Sequence, residues 1–200
     1  MGVYRVTAAA GFVCAVLLVV NSARRAGLLP ETAFTHAIAP FGALTGLLAI
    51  TGIYLLVRGT AGGLGLVGYV LNSAGLAGAF AIEYILHFVF PYLGGGTVSE
   101  LLAGSTGRAF LVTAAVLLAG VLTFSLAAIR SGVMPVVGVV LYAVGMVPGS
   151  LRNVVPLPVY LTGLVVAAVG VAWMAARLWG AAEEELVTHP PQTPGVRRTA

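Results

Sequence analysis

Long apolar runs broken by brief polar punctuation fill most of this chain. Six stretches, approximately 4–22, 35–57, 66–92, 108–129, 133–148 and 157–178, are almost free of charge along their interiors. Each except the fifth approaches the about 20 residues that carry a helix across a bilayer core. Charged residues fall at the ends of these runs, where insertion energetics tolerate them. The pattern predicts an all-α, polytopic integral membrane protein: a six-transmembrane-helix bundle forming one domain over residues 1–179. A polar tail over 180–200, with Glu183-Glu184-Glu185, Pro190-Pro191 and Arg197-Arg198, has little to bury and is expected to be disordered. The fifth run is closed by Pro148-Gly149, and the proline-bracketed residues 150–158 read as a loop instead of a re-entrant segment.

Two of the runs resemble each other. Val67-Gly-Tyr-Val-Leu-Asn-Ser-Ala-Gly75 and Val137-Gly-Val-Val-Leu-Tyr-Ala-Val-Gly145 match at five of nine positions. The second, fourth and sixth runs also end alike, on Arg58, Arg130 and Arg177. A duplicated helical hairpin of the parallel kind accounts for both observations. Glu83 and His87 have no counterpart in the second copy.

Composition sharpens the class. The chain is 60% hydrophobic and 8% charged, with mean hydropathy +1.05, against about 25% charged residues in soluble domains. It holds no lysine and no aspartate, a bias expected of a GC-rich bacterial genome. The net charge of +4 is scattered over loops and tail, so no surface is dense enough for nucleic acid. Cys14 stands alone and cannot form an internal disulfide. The start has a signal-peptide outline, Arg5 followed by an apolar run and Asn21-Ser22-Ala23, but with further apolar runs behind it an uncleaved first helix is expected. Arginine counting sets Arg5, Arg58, Arg130, Arg177, Arg197 and Arg198 against Arg24, Arg25, Arg108 and Arg152. The excess predicts a multi-pass cell-membrane protein with both termini cytoplasmic.

One carboxylate stands out, Glu83, with His87 one helical turn on. An ionisable group at bilayer depth is costly and marks a candidate site. On an ideal helix Tyr69, Asn72, Leu76, His87 and Phe90 all point within about 40° of the direction of Glu83, and such a polar stripe must face the bundle. Glu83 and His87 are therefore the candidate catalytic pair, one a general acid and the other its relay. Tyr69, Asn72 and Phe90 are the expected pocket lining. With the N-terminus inside, Arg24, Arg25, His36, Arg108, Arg152 and Asn153 gather above the pair; His36, Arg152 and Asn153 are the preferred further binding residues. Glu83, His36 and His87 lack ligand spacing, so no metal and no cofactor are expected.

Other motifs fall away. Gly63-Leu-Gly-Leu-Val-Gly68 spells a dinucleotide fingerprint, but at a membrane hairpin it reads as a glycine turn and close helix packing. Without lysine there is no Schiff base, and without aspartate no aspartate-rich magnesium motif. Thr97-x-x-Glu100 predicts a capping box on a short surface helix. Tyr4, Tyr92, Tyr160, Trp173 and Trp179 read as interface anchors. Three functions remain: an acid/base enzyme protonating or rearranging a lipophilic small molecule, a non-catalytic accessory protein glued by its polar stripe, or a small proton-coupled transporter. Membrane lipids, such a lipophile and a second copy of the chain are the expected partners.

Overall fold

The computed structural model describes residues 2–152 and 154–188, and every regular element among them is helical. In chain order these are α1 (Val3–Arg25), α2 (Ala33–Ile38), α3 (Phe41–Phe88), a 3-10 turn (Phe90–Tyr92), α4 (Gly95–Ala103), α5 (Ser105–Arg130), α6 (Val136–Gly149) and α7 (Leu157–Thr188). Among the described residues four helical stretches are long and apolar enough to cross a membrane: Val3–Arg25, Ala33–Tyr92, Ser105–Arg130 and Leu157–Glu184. The protein has the build of a multi-pass membrane bundle.

The second stretch is two antiparallel arms. Gly62 takes φ +59° and ψ −156°, which breaks α3 and turns the chain back, a backbone state that glycine adopts without cost. Across the arms Tyr54 stacks on Tyr69 at 4.4 Å, and Phe41 meets Phe80 edge-on at 6.5 Å. The fifth expected crossing, α6, has only 14 residues, about 21 Å of helix against a hydrocarbon core of about 30 Å. Pro135 begins it and Pro148 lies in its last turn.

Close packing in this bundle relies on missing side chains, because lipid gives helices no hydrophobic reason to associate and small residues let their backbones approach. A Cβ on Gly68, Gly75 or Gly120 would fall within 3 Å of backbone at Phe124, Leu117 or Asn72, joining the second arm of α3 to α5. Gly145 and Gly170 do the same between α6 and α7, against Ala167 and Tyr142, and Gly138 lies under Trp173. The two sets share one register. Gly68, Asn72 and Gly75 recur 70 positions later as Gly138, Tyr142 and Gly145; Leu117, Gly120 and Thr123 recur 50 positions later as Ala167, Gly170 and Trp173. Both hairpins run in the same sense, which fits the duplicated hairpin read from the sequence.

The corresponding residues Asn72 and Tyr142 also meet, where the two copies face each other. The Tyr142 O–H donates to Asn72 Oδ1 at 3.2 Å, and Asn72 Nδ2 lies 3.0 Å from the phenol oxygen. Asn72 is fully buried. Tyr142→Phe should therefore destabilise the bundle by about 1–2 kcal/mol, because it strands a buried carboxamide. Asn72→Leu added to it should recover most of the loss, as read by thermal unfolding in detergent.

Two local expectations need correction. The short helix α4 exists, but its cap is Gly94 with no side-chain bond, and Thr97 lies inside the first turn. The glycine run extends the helix upstream of the expected start. A capping box forms instead on α2, where Thr32 and Thr35 bond reciprocally. The helical region also reaches beyond residue 179: α7 continues to Thr188, so residues 180–188 of the expected disordered tail are helical. Ala181 and Ala182 are buried, and Trp179 Nε1 donates to Glu183 at 3.1 Å, one turn on. The remainder of the tail lies outside the described residues.

Candidate functional site

Glu83 and His87 lie on the last two turns of α3. The second arm is longer than its counterpart: α6 stops at Gly149, which corresponds to Ala79 by the 70-residue offset. Residues 80–88 are thus a helical extension that the second copy lacks, and the loop after α6 folds across the space left over. The candidate site occupies that asymmetry.

The carboxylate of Glu83 is met from three directions, by two hydrogen-bond donors and one further cation. Arg25 Nη2 lies 3.1 Å from both oxygens, His87 Nε2 is 3.2 Å from Oε2, and Arg152 Nη1 is 3.6 Å from Oε1. The two closest donors are geometrically suited to a deprotonated carboxylate, which accepts at both oxygens. Arg25 is held by Asn21 Oδ1 at 3.4 Å and by the ring of Tyr160, 5.6 Å from the guanidinium carbon. Tyr160 is therefore buried over a cation, not an interface anchor as the sequence suggested. Arg24 is buried too. Its Nη2 donates to Asn21 Oδ1 at 2.9 Å and lies 3.3 Å from His87 Nε2, while Glu31 sits 3.8 Å from Nη1. Arg152, in the loop, is drawn below its ordinary pKa by partial burial and then by Arg25, with Glu83 opposing. A guanidinium so displaced stays charged at neutral pH.

His87 continues the network outward. Its Nδ1 is 2.8 Å from Nδ1 of His36 on α2, so one ring must present N–H and the other a lone pair. If His87 Nε2–H donates to Glu83, its Nδ1 is the acceptor and His36 Nδ1–H is the donor. If Arg24 donates to His87 Nε2 instead, the ring carries its proton on Nδ1 and gives it to His36. Passing from one arrangement to the other moves a proton across each of the two imidazoles. His36 is one-third exposed, and its Nε2 lies 3.9 Å from Glu31. A continuous path of titratable groups therefore runs from Glu83 toward the surface.

Two cavities open beside Glu83. An inner one of about 120 Å³ reaches into the bundle between α1, α3, α6 and α7, past Cys14, Leu76 and Met146 to Tyr142. An outer cleft of about 250 Å³ lies between the second arm of α3, α4, α5 and the loop after α6, with Arg152 among its lining. Ala79, Glu83, Leu117, Gly149 and Tyr160 line both.

Of the residues expected at the site, Glu83, His87, His36 and Arg152 come together. Tyr69 does not join them: it bonds Thr51 at 3.3 Å near the Gly62 end of the arms. Asn72 reaches the inner cavity only through Tyr142. Phe90, half-buried, lies against Phe110 at 6.5 Å and lines neither cavity. Asn153 lies outside the described residues. Arg24 and Arg25 join them, as expected of arginines gathered above the pair, whereas Arg108 is exposed. Asn21, Tyr160 and Tyr142 were not anticipated. Asn21 carried a faint signal, a carboxamide three and four positions before two arginines; the other two carried none. Among the described residues no group of three or more metal-ligating side chains is disposed to hold an ion.

Comparison of the chain with protein-family models, curated proteins and solved structures finds no match.

Proposed function

We propose that this protein is a membrane-embedded acid/base enzyme, of isomerase or cyclase type, acting on a lipophilic small molecule held in the inner cavity under Glu83. The observation that carries this reading is the hydrogen-bonded series Glu83–His87–His36, which joins an apolar cavity to a partly exposed imidazole. An apolar pocket with a few convergent polar groups is the usual form of a small-molecule site. The chemistry needs no redox step. A proton is taken from one carbon of the lipophile by the Glu83 carboxylate, another is returned at a different carbon, and the double bond moves between them. Arg25 suits Glu83 to the role of resting base, and the His87–His36 tautomer exchange supplies or removes the balancing proton. Neither the reaction as drawn nor its residues call for a cofactor.

The same residues bear on the membrane orientation. Three of the four arginines at the site end are engaged with the Glu83 network, leaving Arg108 outside it. Arg5, Arg58, Arg130 and Arg177 lie at the opposite end. That imbalance supports cytoplasmic termini and an outward-facing site.

The test uses solvent deuterium. Protein purified with its co-extracted lipids is moved into deuterated water, and the lipophiles are analysed by mass spectrometry. The wild type should place deuterium on carbon of a bound lipophile. Glu83→Gln should slow this by about 10²–10⁴-fold, and His36→Gln should slow it while leaving the lipophile bound. Wild-type protein with no exchange into any bound lipophile would overturn the proposal. It would favour an accessory role, which one observation supports: the same network ties α1, α2, α3 and the loop after α6 together.

A further inference from the structure

The outer cleft is not needed by the reaction proposed above, and its charge is unbalanced. Within the cluster three guanidinium groups, from Arg24, Arg25 and Arg152, surround the one carboxylate of Glu83. Among the described residues the other acid paired with this cluster, Glu31, is two-thirds exposed and no closer than 3.8 Å to Arg24. Arg24 is 4% exposed, and its Nε is buried with no hydrogen-bond partner. This is not an arginine extended toward lipid headgroups, and the excess of positive charge is built into the fold.

Arg152 is the group left over. Arg25 already contacts both oxygens of Glu83, so Arg152, at 3.6 Å with its side chain 40% exposed, is beyond hydrogen-bond reach of the carboxylate. It stands at the lip of the outer cleft, where Glu83, Thr113, Ser150 and Tyr160 are the other polar residues and the remaining wall is apolar, with Leu86, Leu102, Phe110, Leu111 and Val154. A cation held to Glu83 only by a long ion pair, at the lip of a largely apolar trough, is complementary to a molecule with an anionic head and a hydrocarbon tail. In a bundle surrounded by bilayer, such molecules are the anionic phospholipids.

We propose that the outer cleft binds one anionic phospholipid, its phosphate on Arg152 and one acyl chain between the second arm of α3, α4 and α5. The phosphate draws Arg152 from Glu83 and leaves the carboxylate to Arg25 and His87. The lipid site stands whether or not Glu83 performs proton chemistry. It places a regulatory ligand against the wall that the two cavities share.

The experiment is native mass spectrometry of the full chain in micelles containing equal phosphatidylglycerol and phosphatidylcholine. The wild type should retain one phosphatidylglycerol in preference by about tenfold, the effect of one charge-assisted phosphate contact. Arg152→Gln should abolish the preference, Arg152→Lys should keep most of it, and Ala114→Phe, which fills the cleft, should lose the bound lipid. Unchanged thermal unfolding shows that each variant is folded. Equal retention of the two lipids by the wild type would overturn the proposal. So would a preference that survives Arg152→Gln but is lost in Arg108→Gln, the sign of general surface attraction. If inorganic phosphate competes fully and Ala114→Phe has no effect, a free oxyanion binds and the acyl-chain half of the proposal is wrong. Deuterium exchange on the same variants keeps the two readings apart, since lipid selectivity can fail while exchange at Glu83 persists.

Discussion

Glu83→Ala should lower the melting temperature of the purified protein by on the order of 10 °C, corresponding to about 3–5 kcal/mol. The reason lies in what remains. Arg25 is nearly buried beneath Tyr160 and would lose the carboxylate that holds it at 3.1 Å. Arg24 and Arg152 would remain close by, with no intervening negative charge. Removing one member of a buried ion pair leaves an uncompensated charge, which costs more than the pair itself contributed. The double substitution Glu83→Leu with Arg25→Met removes both charges and keeps the volume, so it should recover most of the loss. A coupling of about 0.5–3 kcal/mol between the two positions is expected. If Glu83→Ala melts within a degree or two of the wild type, the cluster does not hold α1 against α3. Destabilisation alone says nothing about proton chemistry, which is why the deuterium test relies also on His36→Gln, a change that keeps the carboxylate.

The extent to which the site could be read in advance follows from what a helical pattern encodes. Scarcity of charge made the apolar runs legible, and it made Glu83 and His87 conspicuous among them. The one-letter recurrence from Val67 to Gly75 and from Val137 to Gly145 located the duplicated hairpin, because glycines that set close helix contacts are constrained in spacing. Angular position, however, is not depth. Tyr69 and Asn72 share the direction of Glu83 but lie 14 and 11 residues earlier, about 21 Å and 16 Å along the axis. They face other neighbours: Tyr54 and Thr51 for one, Tyr142 for the other. Partners were harder still. Arg25 at a helix end resembles any arginine that meets headgroups, and only the approach of α1 to the α3 extension assigns it to Glu83. The length of α7 was missed for a related reason. Glu183 and Glu184 mark a polar tail by composition, whereas Trp179 and Arg177, one and two turns earlier, bond them and extend the helix.

Gly120→Val should be at least as damaging as the loss of Glu83, and by a different mechanism. Position 120 lies against the backbone of Asn72, and even a single added carbon would overlap the main chain of the neighbouring helix. Backbone cannot rotate aside as the tip of a side chain can, so the second arm of α3 and α5 would have to separate. That movement would open the buried Asn72–Tyr142 contact between the two hairpins. Overpacking of this kind costs about 1–3 kcal/mol for small additions and more when backbone is displaced. Gly170→Ala, at the corresponding place against Tyr142, should behave like Gly120→Ala; the two changes bear on one hydrogen-bonded pair and should not add. Gly59 supplies the control, since nothing lies within 4 Å of an added Cβ there. In a helix, replacing an unhindered glycine with alanine stabilises by about 0.4–1 kcal/mol. Thermal unfolding of the alanine set therefore separates close approach from intrinsic helix preference: Gly59→Ala should rise while Gly120→Ala and Gly170→Ala fall. If all three rise together, the helices have room to spare at those crossings, and the shared register of the two hairpins loses its physical basis.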